Sequence, residues 1–162
     1  MLKTYFNLQF ELNTESKVGY EPTWKDKVER WYQLDETSLL LCEAISNWQK
    51  NDLLKPFERI IYLAQGASNL ADADFASSST ASPAKFVYTL PNISPSVFIQ
   101  LLNWSGPVVC FSPVDLEKSL KFSFNLAETQ AVKTQQSTFI LYTNPSLNEQ
   151  GYRVVYGAFV TG

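Results

Sequence analysis

The sequence predicts an α/β fold built on one mixed, five-stranded sheet with helices on its faces. Three observations support this prediction: strand-like runs alternate with helical segments, one of those runs has an uninterrupted apolar centre, and a short turn separates the last two strands. Alternating strands and helices are typical of a largely parallel sheet, whereas a short turn joins antiparallel neighbours. The predicted order of elements is therefore βαβαβαββ.

The N-terminal part of the chain contributes a strand, a helix and a buried strand. Residues 2–10 alternate imperfectly between apolar and polar side chains and predict the first strand. Residues 11–36 mix charged and aromatic side chains, which favours an irregular but ordered segment. A helix opened by Thr37 or Ser38 follows, with apolar residues at helical spacing. The segment 58–65 has an uninterrupted apolar centre at 60–64, which is typical of a strand buried on both faces.

Three Ser-Pro pairs organise the rest of the chain. Each pair predicts a helix start, because Ser is a good N-cap and Pro is favoured at the first helical position. The expected capping residues are Ser82, Ser94 and Ser112, and the third helix is expected to end near Thr129. Between the last two helix starts, the apolar segment 107–112 predicts a short buried strand. Two more strands are predicted at 137–144 and 152–161, and the turn between them indicates an antiparallel hairpin. The Ser/Ala-rich stretch 66–81 predicts a flexible loop.

Composition excludes several classes of function. The chain has 162 residues, of which 45% are hydrophobic and 18% charged, which fits one domain spanning 1–162 with its own core. Its net charge of −3 and its scattered Lys and Arg residues argue against a nucleic-acid partner. It contains no His, which excludes a His general base and a His-ligated metal. No run of signal-peptide or membrane-spanning type occurs, so we expect a cytoplasmic protein. Because His and phosphate-binding glycine motifs are missing, we expect neither a cofactor nor a metal.

Few side chains offer chemistry of their own. Cys42 and Cys110 are expected to be buried thiols, because they are far apart in the chain and form no metal-binding pattern. Asp72 and Asp74 lie in the predicted loop, where carboxylates usually stay hydrated. Asp115 is expected in the first turn of the last helix, where its charge favours the helix dipole.

A set of spaced motifs in the middle of the chain resembles the N-terminal half of β-ketoacyl synthases. These motifs are Ser82-Pro83, Pro91-Asn92, Gly106-Pro107 followed by Val-Val-Cys-Phe-Ser112, and Asp115. The resemblance implies a thiolase-like half domain in which the strand after Gly106-Pro107 leads into a nucleophile elbow. Counted from Gly106-Pro107, the position of the catalytic Cys is occupied by Asp115. The second half of those enzymes, which carries two His or a His and an Asn, has no counterpart here.

The resemblance implies a subunit that does not catalyse condensation by itself. Claisen condensation needs a thiol to hold the acyl chain, and Asp115 does not supply one. The chain is similar to chain-length factors, which pair with an active ketosynthase and shape its acyl tunnel, as in fatty-acid, polyketide or aryl-polyene biosynthesis. A typical chain-length factor is full length and has Gln at the position of the Cys. The implied partners are an active ketosynthase subunit and, beyond it, acyl carrier protein.

The same resemblance assigns two segments to the partner. The strand before the elbow pairs across the dimer interface, which gives the interface residues Pro107, Val108, Val109, Cys110, Phe111 and Ser112. The segment 85–93 faces the partner's tunnel, with the expected contact residues Lys85, Phe86, Tyr88, Thr89 and Asn92. Core packing is an equally good interpretation of Phe86 and Tyr88.

The predicted last helix is amphipathic, with polar residues on one face at about 100° per residue. These residues are Glu117, Lys118, Lys121, Asn125 and Glu128. In a full-length ketosynthase the elbow helix lies buried between two sheets, so a polar face suits a chain that lacks the second half. The pattern also fits an ordinary surface helix of any α/β domain.

Two other functions fit the sequence. One is a stand-alone protein that binds an acyl chain or acyl carrier protein. The other is a small enzyme that uses Asp115 or Asp72 as an acid-base group, which requires a carboxyl with a raised pKa in a cleft.

Overall fold

The computed structural model describes residues 6–12, 20–64, 76–77, 93–112, 114–144 and 153–161. In chain order the described elements are β1 (Phe6–Leu12), α1 (Glu36–Lys50), β2 (Arg59–Leu63), α2 (Ile93–Leu102), β3 (Val108–Phe111), α3 (Leu116–Thr134), β4 (Thr138–Asn144) and β5 (Arg153–Val160). This is the predicted order βαβαβαββ. Among the described residues, no helix is long and apolar enough to cross a membrane.

The strands form one five-stranded sheet in the order β1-β5-β4-β2-β3. β2 pairs in parallel with both β3 and β4, whereas β5 runs antiparallel to both β1 and β4. The mixed sheet and the β4–β5 hairpin are therefore confirmed. The carboxyl ends of the parallel strands lie at one end of the sheet, and α1, α2 and α3 begin at that end.

Helices cover both faces of the sheet. Successive residues of β2 point to opposite faces, so Ile60 and Tyr62 join a core with α1 and α2, and Ile61 and Leu63 join a second core with α3. All four side chains are fully buried, which confirms the strand buried on both faces. The two-helix face carries the larger core, whereas α3 alone covers the other face in the described structure.

The segment 20–35 is irregular but ordered, as expected. It contains two short 3₁₀ turns, Lys25–Lys27 and Trp31–Gln33. Trp24 is 2% exposed and its indole Nε1 donates a 2.9 Å hydrogen bond to Glu43 Oε1 on α1. The aromatic residue thus attaches this segment to the first core.

The predicted helix starts need correction, because Asp residues cap these helices in place of Thr and Ser. α1 begins at Glu36 rather than at Thr37 or Ser38, and its N-cap is Asp35, whose Oδ1 accepts from the Ser38 amide at 3.3 Å. α3 begins at Leu116 with Asp115 as its cap, so Ser112 is not a capping residue. A charged acceptor suits the positive end of a helix dipole better than a hydroxyl does.

Other predicted boundaries also differ. Ser94 is not a cap, because it lies inside α2, where its hydroxyl is 3.2 Å from that of Ser38. α3 continues to Thr134, past the expected end, because buried Ala127 and Ala131 extend its inner face. Ser82-Pro83 lies outside the described residues. Of the expected loop 66–81 only residues 76–77 are described, and they are helical and exposed.

Gly157 on β5 allows the closest aromatic packing of the first core. A Cβ at this position would lie 2.8 Å from Phe139 Cε2 and 3.2 Å from Trp48 Cη2. The Phe139 ring cannot move away, because it is fully buried and stacked on Phe159 at a centroid distance of 4.6 Å.

We therefore expect Gly157→Ala to lower the free energy of unfolding by about 1–3 kcal/mol through overpacking. Urea denaturation of the full chain measures this loss. Because Phe139→Leu provides room for the new Cβ, the double variant should lose less than the sum of the two single variants. Additive losses would show that the two side chains do not compete for this space.

Candidate functional site

The interface strand predicted from the sequence lies at an edge of the sheet. β3 is the last strand in the sheet order and, within the described chain, pairs only with β2. All four of its side chains are half-buried, whereas their partners on β2 are buried, so the prediction of a buried strand at 107–112 is wrong for this edge strand. Pro107 and Ser112, at the two ends of the strand, are exposed. The structure thus places the six residues along one edge, and their contact with a partner stays a prediction.

The backbone of β3 presents hydrogen-bonding groups on its outer side. The carbonyls of Pro107 and Phe111 accept from Ile60 and Ala64 at 3.0 and 2.8 Å, so these residues face β2. Backbone groups alternate in direction along a strand, and Val108 therefore directs its N–H and C=O away from β2. An added strand would find its first donor and acceptor there.

Exposed apolar side chains continue from this edge onto the start of α3. Phe122 is 55% exposed and its ring packs edge-on against Phe111 at a centroid distance of 5.7 Å. Val114, in the turn between β3 and α3, is fully exposed. We call Val109, Phe111, Val114 and Phe122 together the β3–α3 surface. Large exposed apolar residues beside an open strand edge are typical of a protein–protein contact.

Asp115 stands at the strand-to-helix turn, where the resemblance places the nucleophile. Its Oδ1 accepts from the Lys118 amide at 3.1 Å and its Oδ2 lies 3.1 Å from Lys118 Nζ. The hydrogen bond from the Lys118 amide, assisted by the Lys118 side chain, lowers the pKa of Asp115. An exposed carboxylate with a lowered pKa is a helix cap, and the raised pKa required of an acid-base group is not found at Asp115.

The two thiols are not suited to nucleophilic chemistry. Cys42 is fully buried on α1, and burial, assisted by the charge of Asp35, raises its pKa to about 12. Cys110 is half-buried on β3, and burial raises its pKa as well. The thiolate is the reactive form, and a raised pKa disfavours it at neutral pH. The expectation of buried thiols is confirmed for Cys42 and only in part for Cys110.

The fold brings together a buried polar cluster that the sequence analysis did not identify. The cluster lies at the carboxyl ends of β2 and β4, beneath the first turns of α1 and α2, where α/β sheets often hold ligands. It consists of Asp35, Ser38, Tyr62, Ser94 and Thr143. The hydroxyls of Ser38 and Ser94, 56 residues apart in the chain, lie 3.2 Å from each other. No local signal marks such a cluster, because only the packing of α1 against α2 creates it.

In the described conformation, this buried cluster has a structural role and no evident reactive group. Burial raises the pKa of Asp35, although hydrogen bonds from Ser38 and Thr37 oppose the effect. Burial also raises the pKa of Tyr62, and none of the described residues gives its hydroxyl a well-aligned hydrogen bond. Tyr62, Ser38 and Ser94 are buried and do not face solvent, and the contact between Ser38 and Ser94 joins α1 to α2.

Other predicted site residues lie outside the described structure. Lys85, Phe86, Tyr88, Thr89 and Asn92 belong to this group, as do Asp72 and Asp74. Ile93, the last residue of the expected tunnel-facing segment, begins α2. No group of three or more His, Cys, Asp or Glu side chains suited to a metal occurs in the described residues.

The polar face predicted for the last helix is present on α3. Glu117, Lys118, Lys121 and Asn125 are exposed and Glu128 is half-buried. Only three residues, all small, are fully buried on its inner face: Ser123, Ala127 and Ala131. α3 therefore packs closely on the sheet through a narrow stripe of small residues.

The fold, an α/β structure with a five-stranded mixed sheet, is similar to that of a solved ketosynthase complex. Comparison with solved structures finds a ketosynthase (ApeO) in complex with its chain length factor (ApeC) from Xenorhabdus doucetiae. The similarity has a TM-score of 0.57 and covers 99% of this chain and 78% of the matched chain. At 10% sequence identity it is a similarity of fold. No family model matches the sequence, and no curated protein sequence is significantly similar to it.

We expect Asp115→Ala to lower the urea midpoint at neutral pH, because α3 loses its N-cap. Asp115→Asn should lose less, since its amide oxygen still accepts from Lys118. Because the pKa of Asp115 is lower in the folded than in the unfolded chain, its ionised form stabilises the fold at pH values above the usual carboxyl pKa. This stabilisation is lost as the pH falls through the lowered pKa. The gap between Asp115→Ala and the unsubstituted chain should therefore narrow toward pH 3. Equal midpoints at pH 7 would contradict the capping role.

Proposed function

We propose that this chain is a non-catalytic, chain-length-factor-like subunit. It pairs with an active β-ketoacyl-[acyl carrier protein] synthase and shapes or stabilises its acyl or polyene tunnel. The observation that carries the proposal is the similarity of 99% of the chain to a ketosynthase complexed with its chain length factor. The similarity also covers 78% of the matched chain, which supports residues 1–162 as one domain of the same kind.

The chemistry of the described residues supports a role without catalysis. Asp115, at the start of α3, is bound to Lys118 as a helix cap, and both thiols have raised pKa values. Thioester formation requires a reactive thiolate. The ketosynthase partner therefore supplies the acyl-holding thiol and the basic groups.

The edge formed by β3 is the proposed contact with the ketosynthase. An uncovered apolar strand edge promotes association with other chains, and a committed partner removes that hazard. Backbone pairing at Val108 would give the contact its register, and the β3–α3 surface would give it buried apolar area. The segment 85–93 ends at the first residue of α2 and is proposed to reach the partner's tunnel.

Co-expression with ketosynthases of the same organism tests the proposal. Size-exclusion chromatography of each chain alone and of both together should reveal a stoichiometric complex. A monomer that binds no ketosynthase would contradict the proposal. Such a monomer, if it bound acyl carrier protein or an acyl chain, would instead support a stand-alone binding protein.

A backbone substitution tests the role of the β3 edge. Val108→Pro removes an N–H that points away from β2, so we expect the fold to persist while the complex is lost. Val108→Ala is the matched control, because it removes side-chain atoms and keeps the N–H. Circular dichroism checks the fold and co-purification measures the complex. Equal co-purification of the two variants would show that the Val108 N–H does not bind the partner.

Two exposed apolar residues of α3 form a second matched pair. Phe122 contacts Phe111 at the β3 edge, whereas Val132 lies near the far end of the helix and is 64% exposed. We expect Phe122→Ser to weaken the ketosynthase complex by about tenfold or more, because it removes a large aromatic contact. Val132→Ser should leave the affinity nearly unchanged. Biolayer interferometry measures both, and a larger effect of Val132→Ser would place the contact elsewhere.

A further inference from the structure

We infer that a cavity between α3 and the β4–β5–β1 part of the sheet binds the uncharged hydrocarbon portion of an acyl or polyenyl chain. The identification of this hydrocarbon as an acyl chain rests on the proposed function. The cavity itself lies toward the sheet edge opposite β3, so it is separate from the proposed ketosynthase contact.

The cavity has room for a small ligand and is lined from three neighbouring strands. Its volume is about 360 Å³, at the lower end of the range for small-molecule sites. Gln9, Tyr156 and Tyr142 form one row across β1, β5 and β4, because Gln9 pairs with Tyr156 and Tyr156 with Tyr142. Ala158 lines the same space, and Phe124 closes it from α3.

Two parallel aromatic rings form part of the lining. Tyr142 and Tyr156 stack at a centroid distance of 4.9 Å and an interplanar angle of 15°. Both side chains are half-buried, so part of each remains available for contact. Flat π-surfaces favour planar hydrocarbon, and a conjugated polyene segment is planar.

The described lining of the cavity disfavours a carboxylate. None of the described lining residues is charged, and their side-chain polar groups are the Gln9 amide and the two tyrosine hydroxyls. Burial and the nearby Tyr156 raise the pKa of Tyr142, which keeps its hydroxyl neutral. At the rim, Gln9 Nε2 donates a 2.7 Å hydrogen bond to Glu11 Oε1, which adds negative charge. An anionic head would be desolvated and repelled there, whereas a neutral ester or thioester would not.

Fluorescence titration with cis-parinaric acid methyl ester tests the inference. This conjugated polyene becomes more fluorescent in apolar surroundings, and the free acid is the charged comparison. We expect the full chain to bind the ester more tightly than the acid. Glu11→Gln should reduce the difference in affinity between the ester and the acid, because it removes the negative charge beside Gln9.

Two substitutions at one exposed position locate the binding. Gln9→Phe fills the cavity and should weaken ester binding by about tenfold or more, whereas Gln9→Ala leaves space and should change it by less than about threefold. The titration uses the full chain, or its ketosynthase complex if that is the purified form. The difference between the two variants isolates this cavity in either case.

Three results would overturn the inference: no binding of the ester, equal binding by both Gln9 variants, or tighter binding of the acid. Co-purification with a ketosynthase is scored separately for the same variants. Because β1 and β3 lie at opposite edges, Gln9→Phe should still form the complex. Failure of ester binding thus contradicts the cavity assignment alone, and failure of co-purification contradicts the proposed function alone.

Discussion

The pairing of β2 with both β3 and β4 is the constraint on which the rest of the structure depends. β2 is buried on both faces, and its alternate side chains enter the two cores. A shift of one residue in its register would exchange these two sets of side chains, so the register is strongly specified. Because all three strands run in the same direction, the starts of α1, α2 and α3 lie together at the carboxyl ends of the strands.

The sheet extends unequally from β2. On one side, β4, β5 and β1 follow, and two tyrosines and Gln9 line a cavity beneath α3. On the other side, β3 is the last strand of the described sheet, and its four residues are half-buried. The two sides of the described sheet therefore differ: one lines the cavity that we propose to bind a hydrocarbon, and the other carries the strand edge and the apolar surface that we propose to contact a ketosynthase.

Sequence periodicity predicted the elements of this fold well, because burial selects apolar residues at the period of each element. It did not predict the caps. Ser112 and Asp115 are both good capping types, and only the path of the chain after β3 decides that Asp115 accepts from Lys118. The cluster around Ser38 and Ser94 could not be predicted either, since packing of two helices creates it. The assignment of β3 to a contact with a partner stays a prediction, because it rests on a family resemblance and neither periodicity nor burial implies it.

Hydrogen exchange of the chain with and without a ketosynthase tests the central claim most directly. If β3 pairs with the partner, the amide of Val108 should exchange more slowly in the complex, while amides of β1 remain unchanged. That result would place the ketosynthase on the open edge of the sheet. A stable complex in which β3 exchanges as it does in the isolated chain would contradict the account, as would protection confined to β1.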